Sequence, residues 1–418
     1  MLIKVLGFIF FIHMEDPKIQ PQVAQTTAMK VLETHQGLCE QEELLEKGEE
    51  SPSKSSVSSP RKASSIKAKT EAMMRLASQR GVSRVGEQER ELGRHEKFQA
   101  ILKGPNINLH ELRELSWSGI PTSVRPITWK ILAGYLPPNK DRWDTIYRKK
   151  REEYWSYVQQ YYDSRLEEIH ADTYRQIHID IPRMAPLIPL FQQDLVQDTF
   201  ERILFIWAIR HPASGYVQGI NDLVTPIFVV FLQEFLLPND DIDNYDVRKL
   251  YHDALQQIEA DSYWCLSHLL DGIQDNYTFA QPGIQNKVFQ LKELIQRIDV
   301  SLHEHLCQHE IDYLQFSFRW MNNLLMREIP LRCTIRLWDT YLAEKDGFAT
   351  FHLYVCAAFL IHWNADLLRE RDFQGLMLLL QNLPTQAWTD KDIGMLLAEA
   401  FRLKYMFADA PNHLSGAR

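Results

Sequence analysis

The sequence predicts an all-α, irregular multi-helix domain behind a long N-terminal extension, and three observations carry that reading. Glycine is sparse, 17 among 418 residues, which disfavours a turn-rich β architecture. From about Leu109 to Ala408 apolar side chains recur at three- and four-residue steps. No strand-length run alternates cleanly between hairpin turns, and no fixed internal period marks a solenoid.

The elements follow in order. Order is expected to begin near Lys97 and Phe98. Pro121-Thr122-Ser123 opens a helix whose stripe is Val124, Ile127, Trp129, Ile131 and Leu132. Asp141 to Ile169 is charged and aromatic, with Trp143, Tyr147, Tyr154, Tyr157 and Tyr161 at helical steps. Thr199 to Arg210 carries Ile203, Phe205, Ile206 and Trp207, and His211-Pro212 ends it. Leu223 to Leu237 is strongly apolar but interrupted by Pro226, Gln233 and Glu234, so it reads as a buried helix rather than a membrane span. Further helices are expected at Tyr263–Ile273, Asn286–Ile298, Asp312–Met326, Pro330–Leu342, Phe351–Trp363, Asp372–Asn382 and Thr389–Tyr405. The expected organisation is an extension over 1–96, a helical domain over 97–408 and a tail over 409–418.

The extension has a different composition. Val5 to Ile12 is apolar and follows Lys4. It is too short to span a bilayer, no small-residue cleavage site follows, and a non-targeting terminus is expected. Ser51 to Ser65 is rich in Ser, Pro and Lys and is expected to be disordered and regulatory. Arg61-Lys62-Ala63-Ser64 and Arg75-Leu76-Ala77-Ser78 resemble basophilic kinase sites, making Ser64 and Ser78 candidate phosphosites and a phosphoserine-reading protein a candidate partner. A solvated linker with chance matches is the competing reading.

Charge and cysteine usage narrow the function class. The formal net charge is −9, with residues 51–103 at +7 and residues 1–50 at −5, leaving −11 for residues 104–418. So acidic a main domain argues against duplex nucleic acid as a partner. The five cysteines, Cys39, Cys265, Cys307, Cys333 and Cys356, are scattered without a C-x-x-C pair, which points to a reducing compartment without structural disulfides. The 15 histidines show no metal-ligand spacing, so no metal is expected. No Walker-type nucleotide-binding loop is present.

Two short motifs carry the chemistry. The first is Ile177-His178-Ile179-Asp180-Ile181-Pro182-Arg183; the second is Ser214-Gly215-Tyr216-Val217-Gln218-Gly219-Ile220-Asn221-Asp222-Leu223. They place one arginine and one glutamine near each other in an otherwise helical chain. Such a pair is what a slow GTPase lacks: a planar cation for charge developing on phosphoryl oxygens, and a carboxamide to orient water. Pro182 stiffens the approach to Arg183, and Asp180 is placed to cap a following helix or to hold the guanidinium. Arg183 reads as near a helix start, where the dipole mildly disfavours a cation. Tyr216 and Gln218 are expected at a helix N-terminus, with Gly219 permitting close backbone approach and Asn221 and Asp222 adding polarity at the edge of a buried helix. The structural alternatives are a solvated arginine and a capped buried helix with a polar first turn.

The order and spacing of these motifs resemble the I-x-x-D-x-x-R and Y-x-Q motifs of TBC-domain Rab GTPase-activating proteins. A third motif, R-x-x-x-W, reads Arg125-Pro126-Ile127-Thr128-Trp129 here, after Trp117-Ser118-Gly119-Ile120-Pro121. Phe318-Arg319-Trp320, Arg327-Glu328-Ile329-Pro330 and Arg336-Leu337-Trp338-Asp339 look like the later signatures of that family. The resemblance covers about Leu112 to Ala408, and Tyr174 to Asp222 is especially similar to the subgroup called TBC domain family member 22. One departure is Met184, where Thr or Ser is common.

The resemblance implies dual-finger catalysis in trans, by Arg183 and Gln218. It implies site support from Arg125 and Trp129, with Asp180, Tyr216, Gly219 and Asn221 as motif neighbours. The implied partner is a Rab in its GTP form, in vesicle trafficking. GTP and magnesium belong to the Rab, so the chain needs no cofactor of its own. A cytoplasmic protein is expected, with peripheral association to Golgi or endosomal membranes through partners. The alternatives are a catalytically weak Rab-binding scaffold and a helical adaptor acting through its N-terminal region.

Overall fold

The structure is a computed structural model that describes residues 90–237, 240–251 and 253–408. The expected readings at Cys39, Ser64, Ser78, Val5 to Ile12 and the 409–418 tail lie outside the described residues. A helix, α1, occupies residues 90–103. The expected domain start at Lys97 therefore falls inside a helix. Phe98 of α1 is buried in the main core, and Arg94 donates to the carbonyl of Gly119.

The first half of the domain runs through α2 (Leu109–Trp117), α3 (Arg125–Leu132), α4 (Trp143–Tyr161), α5 (Glu168–Asp180), α6 (Asp194–Arg210) and α7 (Ile220–Leu232). The second half runs through α8 (Ala254–Asp271), α9 (Pro282–Ile298), α10 (Val300–Gln308), α11 (Tyr313–Asn322), α12 (Leu331–Ala343), α13 (His352–His362), α14 (Asn364–Leu367), α15 (Phe373–Gln381) and α16 (Asp390–Phe407). The described residues contain no strand, only an isolated antiparallel bridge between Asn106 and Asn139.

At the centre lies α7, every residue of which is buried. A helix apolar all round has no solvent face and must be surrounded by others. Here α8, α6, α3 and α12 pack against it. Pro226 sits inside α7 and cannot donate to the carbonyl four residues earlier, that of Asp222. The Thr225 hydroxyl donates to that carbonyl instead, at 2.8 Å, so the buried acceptor is not orphaned. No described helix is long and apolar enough to cross a membrane.

Several elements depart from expectation for local reasons. The Asp141–Ile169 run divides: α4 ends at Tyr161, a 3-10 turn covers Tyr162–Leu166, and Glu167 turns extended before α5 begins. Helices α6, α8 and α9 each begin earlier than expected, at Asp194, Ala254 and Pro282, with first turns that mix polar residues with the buried Val196, Ala254 and Ile284. Helix α10 was not anticipated. Asp299 ends α9 and caps α10, accepting from the Leu302 amide at 2.9 Å, so one acidic residue separates two helices without a loop.

A buried carboxylate ties the start of the domain to its end. Asp339, on α12, is fully buried. It accepts from the Ile120 amide at 2.9 Å, the Arg125 guanidinium from 3.1 Å and the Trp129 indole N–H at 2.7 Å. Burial pushes its carboxyl above the ordinary value, while Arg125 and the two N–H donors pull the other way. Trp129 also stacks on Trp338, with ring centroids 6.2 Å apart. Arg125 and Trp129 thus act on Asp339. Among the described residues, no hydrogen bond or ion pair links either to Arg183 or Gln218. Any support they give the two motifs runs through the packed core. Trp129→Ala removes a large buried ring and a donor to a buried carboxylate, so it should destabilise the domain by about 3–5 kcal/mol. Thermal denaturation checks this; an unchanged melting temperature would place no stabilising role on the indole.

Candidate functional site

The site is assembled where the C-terminal end of α5 meets the loop before α7. Ile177 and Ile181 are fully buried and fix the end of α5 in the core, one helical turn apart. Between them Asp180, the last residue of the helix, is only 3% exposed. A single 3-10 turn, Ile181–Arg183, follows, with Pro182 at its second position. Met184 is buried and its carbonyl accepts from the Gln192 carboxamide at 3.3 Å. Ala185 then adopts a left-handed φ of 36°, unusual for a residue with a Cβ. The buried isoleucines and Met184 leave Arg183 between them on an exposed turn.

Arg183 makes no hydrogen bond or ion pair among the described residues. Its position corrects one expectation. It follows the C-terminus of α5 rather than opening a helix, so the dipole favours its charge. Its neighbourhood is apolar as well as basic, with Leu187 93% exposed and Ile179 41% exposed.

The second motif begins after α6. His211 ends that helix, and the amides of Ser214 and Gly215 fold back to its carbonyl at 3.0 and 2.8 Å. Gly215 takes φ 59° in this turn. Tyr216 then points inward and Gln218 is half-buried. Gly219, with φ 112°, precedes Ile220, the first residue of α7, and its amide donates to the Asn221 side chain at 2.9 Å. Tyr216 and Gln218 therefore lie in the loop just before the helix rather than within its first turn.

Asp180 joins the two motifs. Its Oδ2 accepts from the Tyr216 hydroxyl at 3.0 Å and from the Gln176 carboxamide at 3.1 Å. Its Oδ1 accepts from Nε2 of Gln218 at 3.3 Å. The expectation that Asp180 caps a helix or holds the guanidinium is not met. It makes no cap, and Arg183 is not among its partners. Burial, reinforced by the Asp180 charge, drives the Tyr216 phenol well above its ordinary value, so Tyr216 is a firm donor at neutral pH.

The chemistry of the donor set fixes the orientation of Gln218. An ionised carboxylate only accepts, so the amide nitrogen must face Asp180 and the carbonyl oxygen Oε1 must face away. Among the described residues Oε1 accepts no hydrogen bond. An uncommitted acceptor and an uncommitted guanidinium thus flank one buried acid. Residues outside both motifs complete the surroundings. Gln176 precedes the first motif. Asn322 at the end of α11 and Asn323 just after it reach the loop, and Arg327 meets Asp222 in the first turn of α7 at 2.7 Å. The sequence carries a local signal for Gln176 alone, four residues before Asp180 on one helix face. Groups of three or more potential metal ligands are absent among the described residues.

Comparison with known proteins extends this geometry. The family model described as Rab-GTPase-TBC domain matches residues 122–368. Human TBC1 domain family member 22B is 67% identical over 324 residues, covering 78% of this chain and 64% of that protein. The GTPase-activating protein gyp1 of Schizosaccharomyces pombe is 50% identical over 326 residues, covering 77% and 63%. The chain thus spans less than two thirds of the length of these relatives. Among solved structures, the crystal structure of the Ypt/Rab-GAP domain of Gyp1p aligns with a TM-score of 0.72 at 48% identity, covering 76% of this chain and 99% of that one. With a family model matching more than half its length and relatives this similar, the chain belongs to the Rab-GTPase-TBC domain family.

Proposed function

We propose that this chain is a GTPase-activating protein for Rab-family small GTPases, supplying Arg183 and Gln218 in trans. The observation that carries the proposal is the arrangement around Asp180: one buried acid orients the glutamine, and the arginine three residues later, on an exposed turn, pairs with none of the described residues. Family membership and the GTPase-activating name of the gyp1 relative support it.

Hydrolysis on a small GTPase is slow because charge gathers on phosphoryl oxygens and the attacking water is loosely held. An arginine supplied in trans is worth about 10³–10⁵ in rate, roughly 4–7 kcal/mol of barrier. Arg183 suits that role because its guanidinium has no partner among the described residues to give up on docking. Gln218 suits the second role because its free Oε1 can accept from a water O–H. Asp180 is the positioning residue between them. GTP and magnesium are the GTPase's own, and the chain contributes side chains only. The exposed Leu187 and Ile179 beside Arg183 supply apolar contact for the docked partner. Cytoplasmic action, with peripheral recruitment to Golgi or endosomal membranes, belongs to this reading. So does regulation through phosphate on Ser64 or Ser78 and a phosphoserine-reading partner.

Single-turnover GTP hydrolysis across a panel of Rab proteins tests the proposal and separates it from a binding-only scaffold. Arg183→Lys keeps the charge but loses the planar fork, and stimulated hydrolysis should fall by about 10²-fold or more with the melting temperature unchanged. Retained turnover would remove Arg183 from the reaction. Gln218→Ala should abolish most of the stimulation on a Rab whose own glutamine has been replaced, whereas the parent chain should still accelerate that Rab. Failure of the parent on such a Rab would return the water-orienting role to the GTPase.

Asp180→Asn supplies a third measurement. The new amide can donate as well as accept, so the Gln218 carboxamide is no longer forced into one orientation. The rate at saturating Rab should drop about 10-fold or more while affinity for the GTP-bound Rab changes little. A loss of affinity with the rate intact would make Asp180 a docking residue instead.

A further inference from the structure

The loop that carries Gln218 is gripped from a part of the chain more than 100 residues away. Helix α11 ends at Asn322, and the chain turns through Asn323, Leu324 and Leu325. The two leucines take left-handed φ values of 52° and 63° and are fully buried. Two consecutive residues with bulky side chains in that region are held only where the surroundings over-determine them. The turn aims both asparagine side chains at the Gln218 loop. Nδ2 of Asn322 donates to the Gln218 carbonyl at 3.0 Å, and Nδ2 of Asn323 donates to the Gly219 carbonyl at 3.3 Å and to Asp222 at 2.6 Å. Both asparagines are buried, at 6% and 2% exposed.

The grip is itself held. The Tyr277 hydroxyl donates to the Asn322 carbonyl at 2.8 Å, and Gln281 donates to its side-chain oxygen at 3.4 Å. Gly219 completes the fit. Its φ of 112° suits glycine, and a Cβ there would run into the Asn322 carboxamide.

We infer that Asn322 and Asn323 are positioning residues for Gln218, clamping the backbone of its loop so that the side chain, steadied at its other end by Asp180, presents Oε1 in one place. The inference rests on the proposed role of Gln218. The physical case is that Gln218 is only half-buried, so water could serve its carbonyl. Burying two carboxamides to serve it and its neighbour instead removes freedom from the loop. A carboxamide that must orient water tolerates displacements well under 1 Å.

The test is a double-mutant cycle on the full chain, read as single-turnover hydrolysis on a Rab that the parent accelerates. Asn322→Ala should lower the rate at saturating Rab by about 10²-fold and leave the Rab concentration for half-maximal rate nearly unchanged. In a Gln218→Ala background, where Arg183 still supplies measurable stimulation, the same substitution should cost less than about 2-fold. Equal losses in both backgrounds would overturn the clamp and make Asn322 a general stabiliser. So would a lowered melting temperature with an unchanged rate. If Asn322→Ala does not fold, Asn322→Asp is read in its place. It keeps the volume but sets an oxygen against the Gln218 carbonyl, and the same cycle decides. A Gln218→Ala protein as active as the parent would instead overturn the role of Gln218 on which the inference stands.

Discussion

A buried carboxylate with no cationic partner among the described residues is the constraint around which the site is built. Asp180 is almost removed from water, and an isolated charge there would be costly. Three neutral donors, from Gln176, Tyr216 and Gln218, take the place of solvent. Each donor is thereby committed to one direction. Asp180 and partners 36 and 38 residues downstream become a single surface because they share the solvation of one side chain.

Had Arg183 paired with Asp180, the domain would have gained an ion pair and lost the free guanidinium on which the proposed activity rests. The geometry prevents this. The 3-10 turn carries the guanidinium out of the core while Asp180 faces in, so acid and base separate within three residues. The guanidinium is exposed, as the role proposed for it requires. The helix C-terminus behind it favours the charge without neutralising it.

The fold was legible in the sequence where a helix has one apolar face, as in α3 and α12. It was less legible where the first turn mixes polar and apolar residues, as in α8, or where a single residue serves two helices, as Asp299 does. Within the site, Arg183 and Gln218 were legible because each stands in a short motif with a turn signal nearby. The role of Asp180 was not. Rules for local capping reach three or four residues, whereas its partners Tyr216 and Gln218 lie 36 and 38 residues downstream. Asn322 and Asn323 look, in the sequence, like the polar end of an amphipathic helix. Only the left-handed turn that follows them brings their amides to a loop 104 residues earlier. The apolar run carries Pro226 inside an unbroken helix of 13 residues, Thr225 serving the carbonyl that the proline leaves unpaired, and no described helix is long and apolar enough to cross a membrane.

The knot at Asp339 bears on how such a domain is made. Its contacts to Ile120, Arg125 and Trp129 span 219, 214 and 210 residues. Closing loops of that length is a late and slow event, because the entropy of closure is lost before the contact is gained. During synthesis the Arg125–Trp129 segment emerges early and waits for a partner that is still unmade. Until then the Trp129 indole and the apolar face around it stay without their final cover, the state in which nascent helical chains engage chaperones. The loops around Asp180, by contrast, have most of their bonds within the first half of the chain. The asparagine grip on Gln218 and Gly219 and the Arg327–Asp222 pair must wait for the second half, so the placement of Gln218 is completed by segments made well after its own loop.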